Sequence, residues 1–106
     1  MINLELNKNL IDEFIQNGFL IFDKFIDIKY LDRLRDRFEP LFRGEFETGI
    51  EPDEWNWKYG VNADNVTRQI CNAWKSDNLI RRIVCHEVIG EYCSVLMNWN
   101  GAKLIQ

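Results

Sequence analysis

Four side chains of the sequence belong to types that bind zinc or act as nucleophile and base. They are the three cysteines and the one histidine: Cys71, Cys85, Cys93 and His86. Structural zinc sites usually take thiolates from C-x2-C pairs, and the spacing here contains no such pair. Cys85 and His86 are adjacent, and adjacent residues rarely bring a base within hydrogen-bonding reach of its nucleophile. We therefore predict no catalytic residue and no metal ligand, and expect inert, buried thiols.

Acidic and aromatic side chains are concentrated between residues 44 and 64, which we name the acidic-aromatic segment. It contains six carboxylates and one lysine, and its glycines and proline interrupt any regular period. The pattern predicts a long loop, and loops of about 20 residues commonly bind, cover or gate something. Three aromatic residues, Trp55, Trp57 and Tyr59, occupy every second position in one stretch of it. Either these rings pin the loop to its own domain, or they line a ligand pocket.

The composition predicts a single domain over residues 1–106. The chain has 46% apolar and 13% aromatic residues, too many for a disordered tail, and a net charge of −4. The acidic balance argues against nucleic acid as a partner, and no apolar stretch approaches the roughly 20 residues of a membrane span. The odd number of cysteines and the lack of a secretory signal favour a reducing compartment. We therefore expect a cytoplasmic protein.

Apolar residues spaced three and four apart predict four helices. The predicted ranges are 9–16, 28–42, 77–84 and 87–97. Gly18 is placed to end the first helix, and Asp27 and Asp77 to cap the second and third. Pro40 should kink or end the second helix, whose charged face we interpret as solvated surface. We expect His86 at a helix start or on the surface.

Three short runs predict strands, at 19–22, 67–74 and 102–106. The first is continuously apolar, which is typical of a strand buried on both faces. Alternation along the second places four side chains on one face: Arg68, Ile70, Asn72 and Trp74. The third strand begins where the chain stops, which is an unusual place for a domain to finish. The pattern as a whole predicts an α+β fold with helices, a few short strands and an incomplete sheet.

Six segments in succession carry a family resemblance. They are NGFLIFDKFI at 17–26, the helix at 31–42, GEFETGI at 44–50, PDE at 52–54, QICNAWKSD at 69–77 and GAKLIQ at 101–106. Their order resembles the phytanoyl-CoA dioxygenase-like family of Fe(II)- and 2-oxoglutarate-dependent oxygenases. The resemblance implies that the fold corresponds to the N-terminal part of a double-stranded β-helix, or jelly-roll, oxygenase.

The resemblance also bears on cofactors. The family holds Fe(II) with a His-x-Asp pair and a distant second histidine, whereas this chain has one histidine, followed by Glu87 and Val88. It therefore implies that Fe(II) and 2-oxoglutarate belong to the full-length family and that this chain alone binds neither.

Candidate site residues follow from the same resemblance, because the strand matching 68–74 lines the family's co-substrate and substrate cavity. Arg68 and Asn72 become candidate cofactor contacts, and Trp55, Trp57 and Trp74 candidate substrate contacts. The alternatives are a core position for Trp74 and an ion pair between Arg68 and the acidic-aromatic segment.

Three functions remain open. The first is an oxygenase fragment that is inactive alone. The second is a free-standing interaction or regulatory module derived from that fold, whose open strand edges pair with a partner or with a second copy in a homodimer. The third is a subunit completed by a separate C-terminal oxygenase chain. A reading frame with His-x-Asp and a later histidine directly after Gln106 would favour the first or third.

Overall fold

The computed structural model describes Ile2 and residues 5–105. Its elements in chain order are helix α1 (Lys8–Asn17), helix α2 (Ile28–Phe42), strands β1 (Glu54–Trp55) and β2 (Ile70–Cys71), a 3-10 helix (Ala73–Lys75), helix α3 (Asn78–Val84) and helix α4 (Glu87–Met97). The α+β composition is confirmed. The described residues form two compact units, one from Ile2, residues 5–31 and Cys85–Ile105, and the other from Asp32–Val84. The single domain over 1–106 stays a prediction, and each unit is described by itself.

In the first unit, α1 and α4 pack against each other, and local side chains fix their ends. The Asn7 side chain caps α1, and Gly18 ends it in the left-handed conformation, as its position in the sequence predicts. Nδ1 of His86 accepts a 3.2 Å hydrogen bond from the Val88 amide and so caps α4. The predicted helix-start position of His86 is confirmed.

The predicted strand at 19–22 is wrong, because the structure assigns these residues to no strand. Phe22 instead stacks on Phe25 at 5.4 Å between ring centroids and lies 6.4 Å from the Tyr92 ring. Part of the apolar run therefore joins an aromatic cluster, while Phe19 and Ile21 stay exposed. Residues 102–105 likewise form no strand, and the last residue of that predicted strand lies outside the described residues.

In the second unit, Leu41 of α2, Trp57 and Leu79 of α3 form the buried apolar core. Helix α2 runs to Phe42, two residues beyond Pro40, as the sequence predicts. Pro40 has no N–H to donate to the carbonyl four residues before it, and the helix ends two residues later.

The acidic-aromatic segment contains one of the two strands, so the prediction of an unbroken loop is wrong. Strands β1 and β2 pair antiparallel, with Glu54 opposite Cys71 and Trp55 opposite Ile70. The predicted strand at 67–74 shrinks to Ile70–Cys71, since Asn72 adopts a left-handed conformation at φ 59° and the chain turns into the 3-10 helix. Asn72 therefore ends the strand instead of continuing it.

Candidate functional site

Arg68 lies on an aromatic platform in the second unit. Its guanidinium carbon is 3.8 Å from the centre of the Trp57 ring and 5.6 Å from that of Phe42. Nη1 of Arg68 also donates a 3.0 Å hydrogen bond to Oε2 of Glu39 on α2. The proposed ion pair with the acidic-aromatic segment is therefore wrong, because the carboxylate partner comes from α2. Stacking and ion pairing together hold the guanidinium group in one orientation.

Trp57 supports this platform from a fully buried position, with 0% of its surface exposed. Its Nε1 donates a 2.8 Å hydrogen bond to the Ala63 carbonyl, and its ring meets Phe42 edge-on at 6.0 Å between centroids. A buried indole needs such a partner for its N–H. Trp57 thus pins the acidic-aromatic segment to the core of the unit, the first of the two interpretations of its rings.

An apolar pocket of about 290 Å³ lies next to this platform. It is lined by α2, β2 and the first residue of the 3-10 helix: Phe38, Leu41, Phe42, Ile70 and Ala73. Phe42 belongs both to the pocket wall and to the rings under Arg68. The site therefore places an apolar cavity beside a guanidinium group that is ion-paired with Glu39, and such a cavity suits the apolar body of a ligand.

Asn72 is held by its own chain at both ends of its amide group. Its Nδ2 donates a short hydrogen bond to Oδ2 of Asp53, and its Oδ1 accepts a 3.0 Å bond from Nε1 of Trp74. Oδ2 of Asp53 also accepts a 2.7 Å hydrogen bond from Nζ of Lys75. The bonds from Lys75 and then Asn72 lower the pKa of the Asp53 carboxyl. Asn72 therefore acts locally as a clamp that fixes a left-handed turn.

The two other candidate tryptophans lie in different surroundings. Trp55 packs edge-on against Phe46 at 5.3 Å between centroids, with Nζ of Lys58 5.0 Å from its ring centre. Trp74 lies in the 3-10 helix, where Arg81 faces its ring at 5.8 Å. Both are half-buried. The predicted common face of Arg68, Ile70, Asn72 and Trp74 is wrong, because strand alternation ends at Asn72.

An ion pair that the sequence analysis missed joins α2 to α3. Nε of Arg37 donates a 2.6 Å hydrogen bond to Oδ2 of Asp77, a fully buried carboxylate. This bond holds the pKa of Arg37 above its ordinary value, with smaller contributions from the charges of Asp77, Glu47 and Glu45. The sequence marks Asp77 as a helix cap but places Arg37 on a solvated face, so it carries no signal that the two side chains meet.

The expectation of buried thiols is wrong for two of the three cysteines. Cys85 and Cys93 are exposed free thiols, and Cys71 is half-buried, with its Sγ 3.4 Å from Oε2 of Glu54. Among residues 2 and 5–105, no three His, Cys, Asp or Glu side chains are grouped so that they could hold a metal ion. In the same part of the chain, no helix has the length and apolar character needed to cross a membrane.

Comparison with known proteins adds no relative. No family model, curated protein or solved structure matches the chain.

Proposed function

We propose that this chain is the N-terminal part of an Fe(II)- and 2-oxoglutarate-dependent oxygenase resembling the phytanoyl-CoA dioxygenase-like family. In this proposal its second unit supplies a wall of the co-substrate and substrate cavity. The chemistry requires further residues, because the iron site of that family needs two histidines and this chain has one. The corresponding jelly-roll fold belongs to the same proposal.

The observation that carries the proposal is the position of Arg68 next to the apolar pocket. Glu39 and Trp57 orient its guanidinium group, and the ring centre of Phe42, a residue of the pocket wall, lies 5.6 Å from its guanidinium carbon. A planar guanidinium group matches a carboxylate in geometry and charge, and an apolar cavity accepts a hydrocarbon chain. This pairing supports contact with an organic acid, the chemical class that includes 2-oxoglutarate.

The other candidate residues take supporting roles in this proposal. Asn72 positions the turn after β2, because both ends of its amide are already bonded to Asp53 and Trp74. Trp57 holds Arg68 from below, and the half-buried rings of Trp55 and Trp74 stay candidate substrate contacts. Fe(II) and 2-oxoglutarate bind only once a His-x-Asp pair and a second histidine are supplied, by the same polypeptide or by a separate C-terminal chain.

The test begins with the reading frame that follows the codon for Gln106. The proposal predicts His-x-Asp and a later histidine there or in a neighbouring gene, and their absence from both would contradict it. The protein completed by that sequence should convert 2-oxoglutarate to succinate when loaded with Fe(II). Arg68→Met should lower this rate or raise the KM for 2-oxoglutarate or substrate, whereas Arg35→Met, which removes an exposed α2 arginine, should change neither.

A second candidate function is a free-standing interaction module that forms homodimers. It is favoured by exposed apolar side chains in the first unit: Phe19 is 57%, Ile21 75% and Ile105 87% exposed. Exposed apolar surface promotes association when it forms a continuous patch. Light scattering distinguishes the candidates, since this module requires a dimer at micromolar concentration, whereas a monomer would contradict it.

The proposed location is the cytoplasm. Its support is that all three cysteines are free thiols, which suits a reducing compartment. Fractionation of cells that express the protein at its native level tests this, and recovery from an oxidising compartment would contradict it.

A further inference from the structure

A second pocket in the same unit is polar where the first is apolar. It has a volume of about 280 Å³ and lies among α2, the acidic-aromatic segment and α3. We name this cavity the arginine pocket. The charged residues that line it are Arg33, Arg37, Arg82, Asp36 and Glu47. Three guanidinium groups and two carboxylates line it, and the buried carboxylate of Asp77 balances the charge of Arg37. The arginine pocket therefore offers guanidinium donors without excess positive charge, which disfavours anions of high charge.

Arg37 is fixed in the wall of this pocket by a buried carboxylate. Its Nε donates to Oδ2 of Asp77, and Oδ1 of Asp77 accepts the amide hydrogens of Leu79 and Ile80 at 2.9 and 3.1 Å. Asp77 cannot rotate without losing these bonds, so Arg37 is held as well. No described residue accepts a hydrogen bond from the Nη groups of Arg37. Those N–H groups are available to a ligand.

Some of the other hydrogen-bond donors near the pocket already have acceptors within the protein, and others do not. The Asn78 amide already donates a 3.0 Å hydrogen bond to Oε2 of Glu47, and the next two amides of α3 donate to Asp77. These three amides at the start of α3 are therefore not available to donate hydrogen bonds to an anion. Arg82 is exposed and forms no hydrogen bond or ion pair with any described residue. The available donors are thus guanidinium groups on α2 and on α3.

We propose that the arginine pocket binds a small carboxylate anion between Arg37 and Arg82. A planar carboxylate can accept parallel hydrogen bonds from a guanidinium group. The carboxylates of Asp36 and Glu47 disfavour ligands of higher charge, such as the doubly charged form of phosphate. The site is distinct from the proposed oxygenase cavity, and its test requires neither iron nor succinate formation.

Acetate is the simplest probe. The ¹⁵N-labelled 106-residue chain is titrated with sodium acetate at constant ionic strength, balanced with sodium chloride, while the Arg37 Nε–Hε signal is followed by NMR. We expect saturable shifts with a Kd of millimolar order. Arg82→Gln should weaken binding about tenfold, because a hydrogen bond to a charged group is lost. Arg35→Gln, the matched control outside the pocket, should leave the Kd unchanged.

Two further variants should act in the opposite direction. Asp36→Asn and Glu47→Gln each remove a repelling charge, and the glutamine keeps an oxygen for the Asn78 amide, so both should bind acetate more tightly. Weaker binding by both variants would overturn the proposal, as would equal Kd values for Arg82→Gln and Arg35→Gln or tighter binding of inorganic phosphate than of acetate. If Arg82→Gln fails to fold, Arg82→Lys tests the same point, since loss of the planar fork should weaken binding several-fold and an unchanged Kd would count against the site.

Discussion

Arg37 and Asp77 form an ion pair in which the carboxylate is fully buried and the guanidinium group is partly exposed. The same carboxylate caps α3 through the Leu79 and Ile80 amides. A buried carboxylate is stable only when it is paired and hydrogen-bonded, and here three donors meet that requirement. One side chain therefore both begins α3 and joins it to α2.

Replacement of Asp77 tests this joint. Asp77→Ala should lower the free energy of unfolding by about 3 kcal/mol, since it removes a helix cap and leaves Arg37 without its partner. Urea denaturation followed by tryptophan fluorescence measures the loss. Asp32→Ala is the matched control, because Asp32 pairs with Arg35 on the exposed face of α2 and should cost less than about 1 kcal/mol. Equal losses of unfolding free energy would contradict a larger contribution to stability from the buried Arg37–Asp77 pair than from the exposed Arg35–Asp32 pair.

The approach of Trp55 to Gly44 gives a second prediction. Gly44 has φ +81°, and a Cβ added there would lie 2.7 Å from Cη2 of Trp55. Gly44→Ala should therefore cost about 3 kcal/mol, from the left-handed backbone and from displacement of the indole ring. Gly49 has a similar φ of +73° but nothing within 4 Å of the added atom, so Gly49→Ala should cost only about 1 kcal/mol. Thermal unfolding of both variants measures the difference, and equal losses would contradict the contact.

The acid response of Asp53 gives a third prediction. Hydrogen bonds from Lys75 and Asn72 lower its pKa below the ordinary 3.8. A lowered pKa in the folded state contributes stability that is complete above 3.8 and is lost as the pH falls through the folded value. Asp53→Asn should therefore destabilise the protein at pH 7 and make much less difference near pH 2. Urea midpoints of both proteins across this range test the prediction, and a difference that does not depend on pH would contradict it.

The burial of Trp57 gives a fourth prediction. Trp57→Ala should lower the free energy of unfolding by about 4 kcal/mol, because it empties a large volume in the core and leaves the Ala63 carbonyl without its donor. Trp99, which is 58% exposed, provides the control, and its replacement by alanine should cost less than about 1 kcal/mol. Chemical denaturation compares the two. Similar losses of unfolding free energy in the two variants would contradict the assignment of Trp57 to the core of the second unit.

The helices were predictable because their signals are local. The spacing of apolar residues, the Asp77 cap and Gly18 lie within a turn of the helix ends that they mark. The strands were not, since pairing depends on a distant partner. The apolar run at 19–22 has the composition of a strand, yet its Phe22 packs into an aromatic cluster with Tyr92.

The candidate site was predictable in part for the same reason. Family resemblance and residue type single out Arg68, but its partners Glu39 and Trp57 lie 29 and 11 positions away in the sequence. Asn72 was misplaced because strand alternation assumes extended backbone, whereas its own amide stabilises a left-handed turn. The arginine pocket was missed because Arg33 and Arg37 fit the pattern of an ordinary solvated helix face.

The proposed oxygenase function is tested most directly by measuring succinate formation from 2-oxoglutarate in the presence of Fe(II). The measurement compares the 106-residue chain with the protein completed by a His-x-Asp pair and a second histidine from its own genome. We predict turnover by the completed protein only. Robust turnover by the 106-residue chain, or none by a folded and iron-loaded completed protein, would contradict the account.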